Sequence, residues 1–197
     1  MRRLGSICVY CGASNNIRPE YEAVAIALGQ ELSRRDIGLV YGGGSVGLMG
    51  TLARTAREGG CSVVGVIPES LTTRELMGEQ IGELIVVESM HERKAIMSSL
   101  SDAFVALPGG FGTMDELFEA ITWGQLGIHA KPIGLLNVEG YFDPILQWIE
   151  RGVQEGFVNP QHRKLLTVDL EPAALIERLA TYEPPPGLIK RLDLDEA

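Results

Sequence analysis

The sequence predicts an α/β domain of the Rossmann-like, doubly wound type, a mostly parallel sheet of about seven strands with helices on both faces. Three observations predict it. Short apolar runs alternate with helix-patterned stretches along the whole chain. The runs are continuously apolar rather than alternating, which marks strands buried on both faces. Glycine clusters stand just after two of those runs, where a strand hands over to a helix. Parallel neighbours need crossover connections, and right-handed crossovers put helices against the sheet.

Taken in order, Ile7–Cys11 reads as the first strand and Glu20–Arg35 as the first helix, with helical spacing and few breakers. Ile37–Tyr41 is a second strand, closed by Gly42, Gly43 and Gly44. A helix over Leu48–Glu58 is stopped by Gly59 and Gly60. Ser62–Ile67 is a third strand, ended by Pro68, and Leu84–Val87, Ala103–Leu107 and Pro132–Leu136 are the next three. Helices are expected between them at about 90–100, 113–126 and 142–155. A last short run, Leu165–Val168, precedes a helix at about 172–181. Glu69–Gly82 is polar and reads as a loop or short helix beside the site. Glu183 to Gly187, with three prolines, breaks regular structure, so one domain over 1–182 and a tail over 183–197 are expected.

Composition narrows the function. A length of 197 residues fits one domain. The net charge of −9 argues against a nucleic-acid polymer as partner, because such binding draws on Lys and Arg. A mononucleotide needs only a local pocket of donors. No apolar run approaches the ~20 residues of a membrane span, and Met1–Gly5 carries no signal-peptide core. A cytoplasmic location is expected. The three cysteines, sparse and odd in number, fit a reducing compartment. Cys8 and Cys11 have CxxC spacing, but on a strand residues three apart point to opposite faces, so plain buried or loop thiols are expected. His and Cys lie too far apart for a metal cluster, and no cofactor is implied.

Glycines are 24 of the 197 residues, about twice the usual share of roughly 7%. One cluster runs from Gly42 to Gly50 and happens to fit GxGxxG. Its Gly43, Gly44 and Ser45 either face an anion with their backbone amides or form a tight turn that lets the helix pack closely. The richer cluster is Pro108-Gly109-Gly110-Phe111-Gly112-Thr113-Met114-Asp115-Glu116. Its amides, from Gly109 to Thr113, are placed to hold a phosphate at a helix N-terminus. Thr113 and Glu116 also spell a capping box, which offers a structural role for the acid. Against that, Glu116 and Glu119 would repel a phosphate at this mouth. Two such carboxylates make sense if one addresses ribose, water or a developing cation. Ser89 and Glu92 spell a second capping box. Arg93 and Lys94 then fall early in a helix, where the dipole disfavours cations, which suggests an anionic ligand nearby. His91 is expected to be a packed, hydrogen-bonded ring.

At these residues the chain resembles the Lonely Guy family, also known as lysine decarboxylase-like. The family marker PGGxGTxxE stands complete as Pro108 through Glu116, and a Met-His-x-Arg-Lys stretch stands as Met90 through Lys94. The Cys8–Ser14 segment, the Gly42–Gly50 loop, Gly65–Pro68 and Ile121–His129 are similar too. The resemblance covers about residues 6 to 181. It implies an N-glycosidic hydrolase, a phosphoribohydrolase that releases free base and ribose 5-phosphate from nucleoside 5′-monophosphates such as AMP or cytokinin nucleotides. Catalysis maps onto Arg93 and Glu116. Substrate contacts map onto Glu75, Arg93 with Lys94, the Gly110–Glu116 loop (Gly110, Phe111, Gly112, Thr113, Met114 and Asp115 before the acid) and Thr122. A homodimer, or a higher homo-oligomer, is implied as well. The rivals are a non-catalytic nucleotide-binding protein, a dinucleotide oxidoreductase prompted by Gly42–Gly47, and a true lysine decarboxylase with pyridoxal phosphate on a lysine.

Overall fold

The apolar runs become strands within a residue or two of their expected places. The computed structural model describes residues 2–72 and 78–185. Its strands are β1 (Ser6–Tyr10), β2 (Gly38–Tyr41), β3 (Val63–Pro68), β4 (Glu83–Val87), β5 (Ala103–Ala106), β6 (Ile133–Leu136) and β7 (Leu166–Asp169). The helices are α1 (Pro19–Arg34), α2 (Gly47–Glu58), α3 (Met90–Ser99), α4 (Phe111–Leu126), α5 (Asp143–Gln154) and α6 (Pro172–Ala180). The stretch after β3 begins with a short 3-10 turn, Glu69–Leu71. The tail expected at 183–197 lies outside the described residues from 186 onward. Among the described residues no helix is long and apolar enough to cross a membrane.

The seven strands form one sheet in the order β4-β3-β2-β1-β5-β6-β7. Every pairing is parallel, so the mostly parallel sheet of the sequence reading is wholly parallel. The chain builds outward from β1 to β4, then returns to lay β5 on the other side of β1. The loops after β1 and β5 therefore diverge, and the crevice between them is the topological switch point where such folds hold ligands.

Strand side chains alternate between two apolar layers. Ile7 and Val9 pack with Leu28 and Leu32 of α1, Leu52 of α2 and Leu175 of α6. Cys8 and Tyr10 face the other layer, with Met97 of α3, Leu117 of α4 and Ile149 of α5. Helices thus cover both faces. Cys8 and Cys11 fall in opposite layers, and both are free and buried. Burial pushes both thiols well above their usual range, so they are held as inert thiols.

Candidate active site

The carboxyl ends of β1, β2, β3 and β5 converge on two side chains, one from α3 and one from α4. Helix α3 starts where its cap places it: Ser89 Oγ accepts from the Glu92 amide at 3.2 Å. Glu92 reaches back one residue further than the usual capping box, to the Glu88 amide at 2.9 Å. With the start so held, Arg93 in the second turn points into the protein and is buried, 7% exposed. Its Nε donates to the Val66 carbonyl at 3.0 Å, and its Nη1 lies 3.0 Å from Glu116 Oε1. Glycine at position 42 makes this possible, because a Cβ there would collide with Arg93 Nη2. Arg93 is therefore not a solvated surface cation. A buried guanidinium needs a charge partner, and Glu116 is that partner.

Glu116 reaches this place through a shift in helix register. Helix α4 begins at Phe111 with Gly110 as its N-cap and no side-chain cap. The expected Thr113–Glu116 capping box does not form. The glycine-rich loop delivers the chain into helical geometry early, so Thr113 is the third helical residue and Glu116 the sixth, a turn too deep to reach the cap. Thr113, Glu116, Leu117, Ala120 and Gly124 form the buried stripe of α4. The acid thus stands on the face that packs against the sheet.

The electrostatics follow from burial. Glu116 is 6% exposed, and desolvation pushes its carboxyl above the ordinary carboxylate range. Arg93 draws it back down, and neighbouring Asp115 pushes it up again. Lys94 lies beside the pair, 3.2 Å from Asp115 and 3.1 Å from Glu119. Burial works against its charge, but hydrogen bonds to Glu119 and Asp115 hold its pKa above the ordinary lysine value.

Arg93, Lys94, Asp115, Glu116 and Glu119 are thus drawn into one charged cluster. Gly109 backs onto the β1 loop, where a Cβ would stand 2.8 Å from the Gly12 amide nitrogen. Gly110 and Gly112 face open space, and Phe111 is 97% exposed. Met114 packs into the layer beneath α4. Thr122 is exposed, and its hydroxyl donates to the Phe118 carbonyl at 2.7 Å. In the first glycine cluster, Gly43 packs on Ile67 and Leu84, the Gly44 amide points at Met49 Sδ (3.3 Å), and Ser45 Oγ accepts from the Glu79 amide (3.1 Å). Glu75 lies outside the described residues. His91 is exposed rather than packed, because the inward stripe of α3 passes through Arg93 and Met97.

Two further residues at the carboxyl ends of the strands lack any sequence signal for the contacts they make. Gly42 stands in the sequence only as part of a glycine loop, and its contact with Arg93 spans too many residues for a local signal. Tyr141 has no motif around it, yet its hydroxyl donates to the Gly109 carbonyl at 2.6 Å. With Gly12, Ser14, Tyr21, Pro108 and Gly110 it lines a cavity of 500 Å³ at the switch point.

Fold and site together define an all-parallel, Rossmann-like α/β protein with a buried acid–guanidinium pair at the carboxyl ends of its strands. The family model described as "Possible lysine decarboxylase" matches residues 49–179, and the chain belongs to that family, the Lonely Guy family. It is 52% identical over 182 residues to the "Probable cytokinin riboside 5'-monophosphate phosphoribohydrolase LOGL2" of Oryza sativa subsp. japonica, covering 92% of this chain and 75% of that protein. It is 52% identical over 182 residues to the "Cytokinin riboside 5'-monophosphate phosphoribohydrolase LOG7" of Arabidopsis thaliana, covering 92% and 84%. Among solved structures, the molybdenum cofactor carrier protein of Chlamydomonas reinhardtii superposes with a TM-score of 0.66 at 22% identity, covering 91% of this chain and 100% of that one. That likeness shows the fold alone.

Proposed function

We propose that the protein is a phosphoribohydrolase acting on nucleoside 5′-monophosphates, cytokinin nucleotides or AMP among them. The observation that carries the reading is the buried Arg93–Glu116 pair, 3.0 Å apart, reached from the helix whose glycine loop opens to solvent. The names of relatives at 52% identity support the same chemistry.

In this reading the amides of Gly110 to Thr113, with the Gly109 turn behind them, hold the 5′-phosphate at the mouth of α4. Within a helix the first-turn amides have no carbonyl partner, so they are available to an anion. Breaking the C1′–N bond sends its electron pair to the base and leaves oxocarbenium character on the ribose. Glu116 stabilises that cation and orients the water that adds at C1′. Arg93 stabilises negative charge in the transition state. The departing base takes up a proton, and ribose 5-phosphate remains. Lys94, held charged by Asp115 and Glu119, offsets part of their negative charge at the mouth. Thr122 and Glu75 are the further substrate contacts that the resemblance implies. A homodimer is the proposed assembly, checked by sedimentation.

Incubating the pure protein with AMP and with isopentenyladenosine monophosphate, then assaying free base and ribose 5-phosphate, tests this. Nucleotide binding with no base released would leave a binding protein instead. A pyridoxal-dependent decarboxylase is disfavoured on two grounds. Lys94 is kept ionised by two carboxylates, and Lys131, whose pKa burial lowers, stands just before β6, at the amino ends of the strands and away from the site.

Two variants probe the pair without removing it. Gly42→Ala pushes the Arg93 guanidinium off its position between Val66 and Glu116. Turnover is expected to fall about 10²-fold with the fold retained, read by steady-state kinetics beside a thermal melt. The acidic limb of the kcat/KM profile is expected above the ordinary carboxylate range, because burial raises Glu116. Asp115→Asn removes a negative charge that raises it further, so the limb moves to lower pH. An unmoved limb would show that another group controls it.

A further inference from the structure

The turn that presents Tyr141 is unusually constrained. Glu139 is a non-glycine residue in the left-handed region, at φ 53° and ψ 28°, and Gly140 follows at φ 67°. Left-handed backbone at a non-glycine residue is strained and persists only where its surroundings hold it. Here they do. Asn137 Nδ2 donates to Asp143 at 2.7 Å, and Asn137 Oδ1 accepts from the Phe142 amide at 2.8 Å. Arg18 pairs with Glu139 at 2.9 Å from the start of α1. The Tyr141 ring is wedged edge-on against Tyr21 and Phe142, with centroids at 5.8 and 5.3 Å. Everything in the turn fixes one phenol, and that phenol's hydroxyl meets the Gly109 carbonyl at 2.6 Å.

A trans peptide sets its carbonyl and the following N–H in opposite directions. Holding the Gly109 carbonyl towards Tyr141 therefore turns the Gly110 N–H the other way. Glycine flanks this peptide on both sides, so no side chain of its own fixes the orientation of the unit. We propose that Tyr141 is a positioning residue: its hydroxyl locks the Gly109–Gly110 peptide so that the Gly110 amide faces the 5′-phosphate of the substrate. This rests on the phosphoribohydrolase reading for its substrate, but its core claim concerns phosphate binding by the loop.

Tyr141→Phe is the test, since it keeps the ring contacts and removes only the hydroxyl. The variant is expected to raise KM for AMP about tenfold, the effect of one charge-assisted hydrogen bond made loose, while kcat changes less than about threefold. The dissociation constant of ribose 5-phosphate, measured by calorimetry, rises by the same factor, and the thermal midpoint holds. Adenosine, which lacks the phosphate, shows no change in its dissociation constant. A KM and a ribose 5-phosphate affinity equal to the wild type overturn the proposal, as does an equal loss on AMP and adenosine. If the wild type releases no base but binds ribose 5-phosphate more tightly than the variant, the hydrolase reading fails and the positioning role stands. If the wild type does not bind ribose 5-phosphate at all, the positioning role fails.

Discussion

Glu116→Gln is expected to lower kcat on nucleoside monophosphates by about 10²–10⁴-fold, the range for loss of a positioned acid or base, with KM little changed. The amide is close in size and its oxygen still accepts from Arg93, so the 3.0 Å contact survives without the charge. What disappears is the ability to take a proton from water or to face a cationic ribose with a full negative charge. The exchange leaves the buried Arg93 guanidinium with a neutral hydrogen-bond partner, so some stability is lost and a thermal melt must show the variant folded at the assay temperature. Single-turnover kinetics would separate the chemical step from product release. Near-normal turnover in a folded variant removes Glu116 from the mechanism and leaves the pair as a structural brace.

Arg93→Ala is expected to cost both catalysis and stability. Turnover falls by at least as much as for the glutamine variant, since the transition state loses its guanidinium and Glu116 loses its orienting partner. Stability falls by about 3–5 kcal/mol at neutral pH, the penalty for leaving a buried charge uncompensated. The pH dependence gives the sign. Without Arg93, the largest influence drawing the Glu116 carboxyl down is gone, so its pKa in the folded state rises further above its unfolded value. The folded state then favours the protonated acid, and its stability is lost as pH rises through that raised pKa. Urea melts of variant and wild type should converge at acid pH and diverge towards neutrality. A deficit independent of pH would mean that lost packing, rather than an orphaned carboxylate, explains the loss.

The strands and the parallel character of the sheet, though not the strand order, were legible because parallel strands buried on both faces leave unbroken apolar runs, and glycines punctuate where they end. Helix boundaries were less legible. Thr113 and Glu116 carried the local pattern of a cap, and local pattern alone starts the helix at Thr113. The observed start at Phe111 follows from how the Gly109 turn packs against Gly12 in the loop after β1, nearly a hundred residues away in sequence. The stripe through Thr113, Glu116, Leu117 and Ala120 was present in the sequence as a helical repeat, and it was the signal that could have placed the acid inward.

The amino-acid sequence by itself determined the fold class, the family and the two short segments from which a charged pair would come, because those depend on hydrophobic period and local motif. Only the tertiary structure decided that Arg93 is buried, that Gly42 and Val66 hold it against Glu116, and that Tyr141 grips the Gly109 carbonyl. Those contacts join residues 23 to 51 positions apart. They exist only because parallel crossovers bring successive strand ends to one edge of the sheet, a consequence of chain topology that no short stretch of sequence encodes.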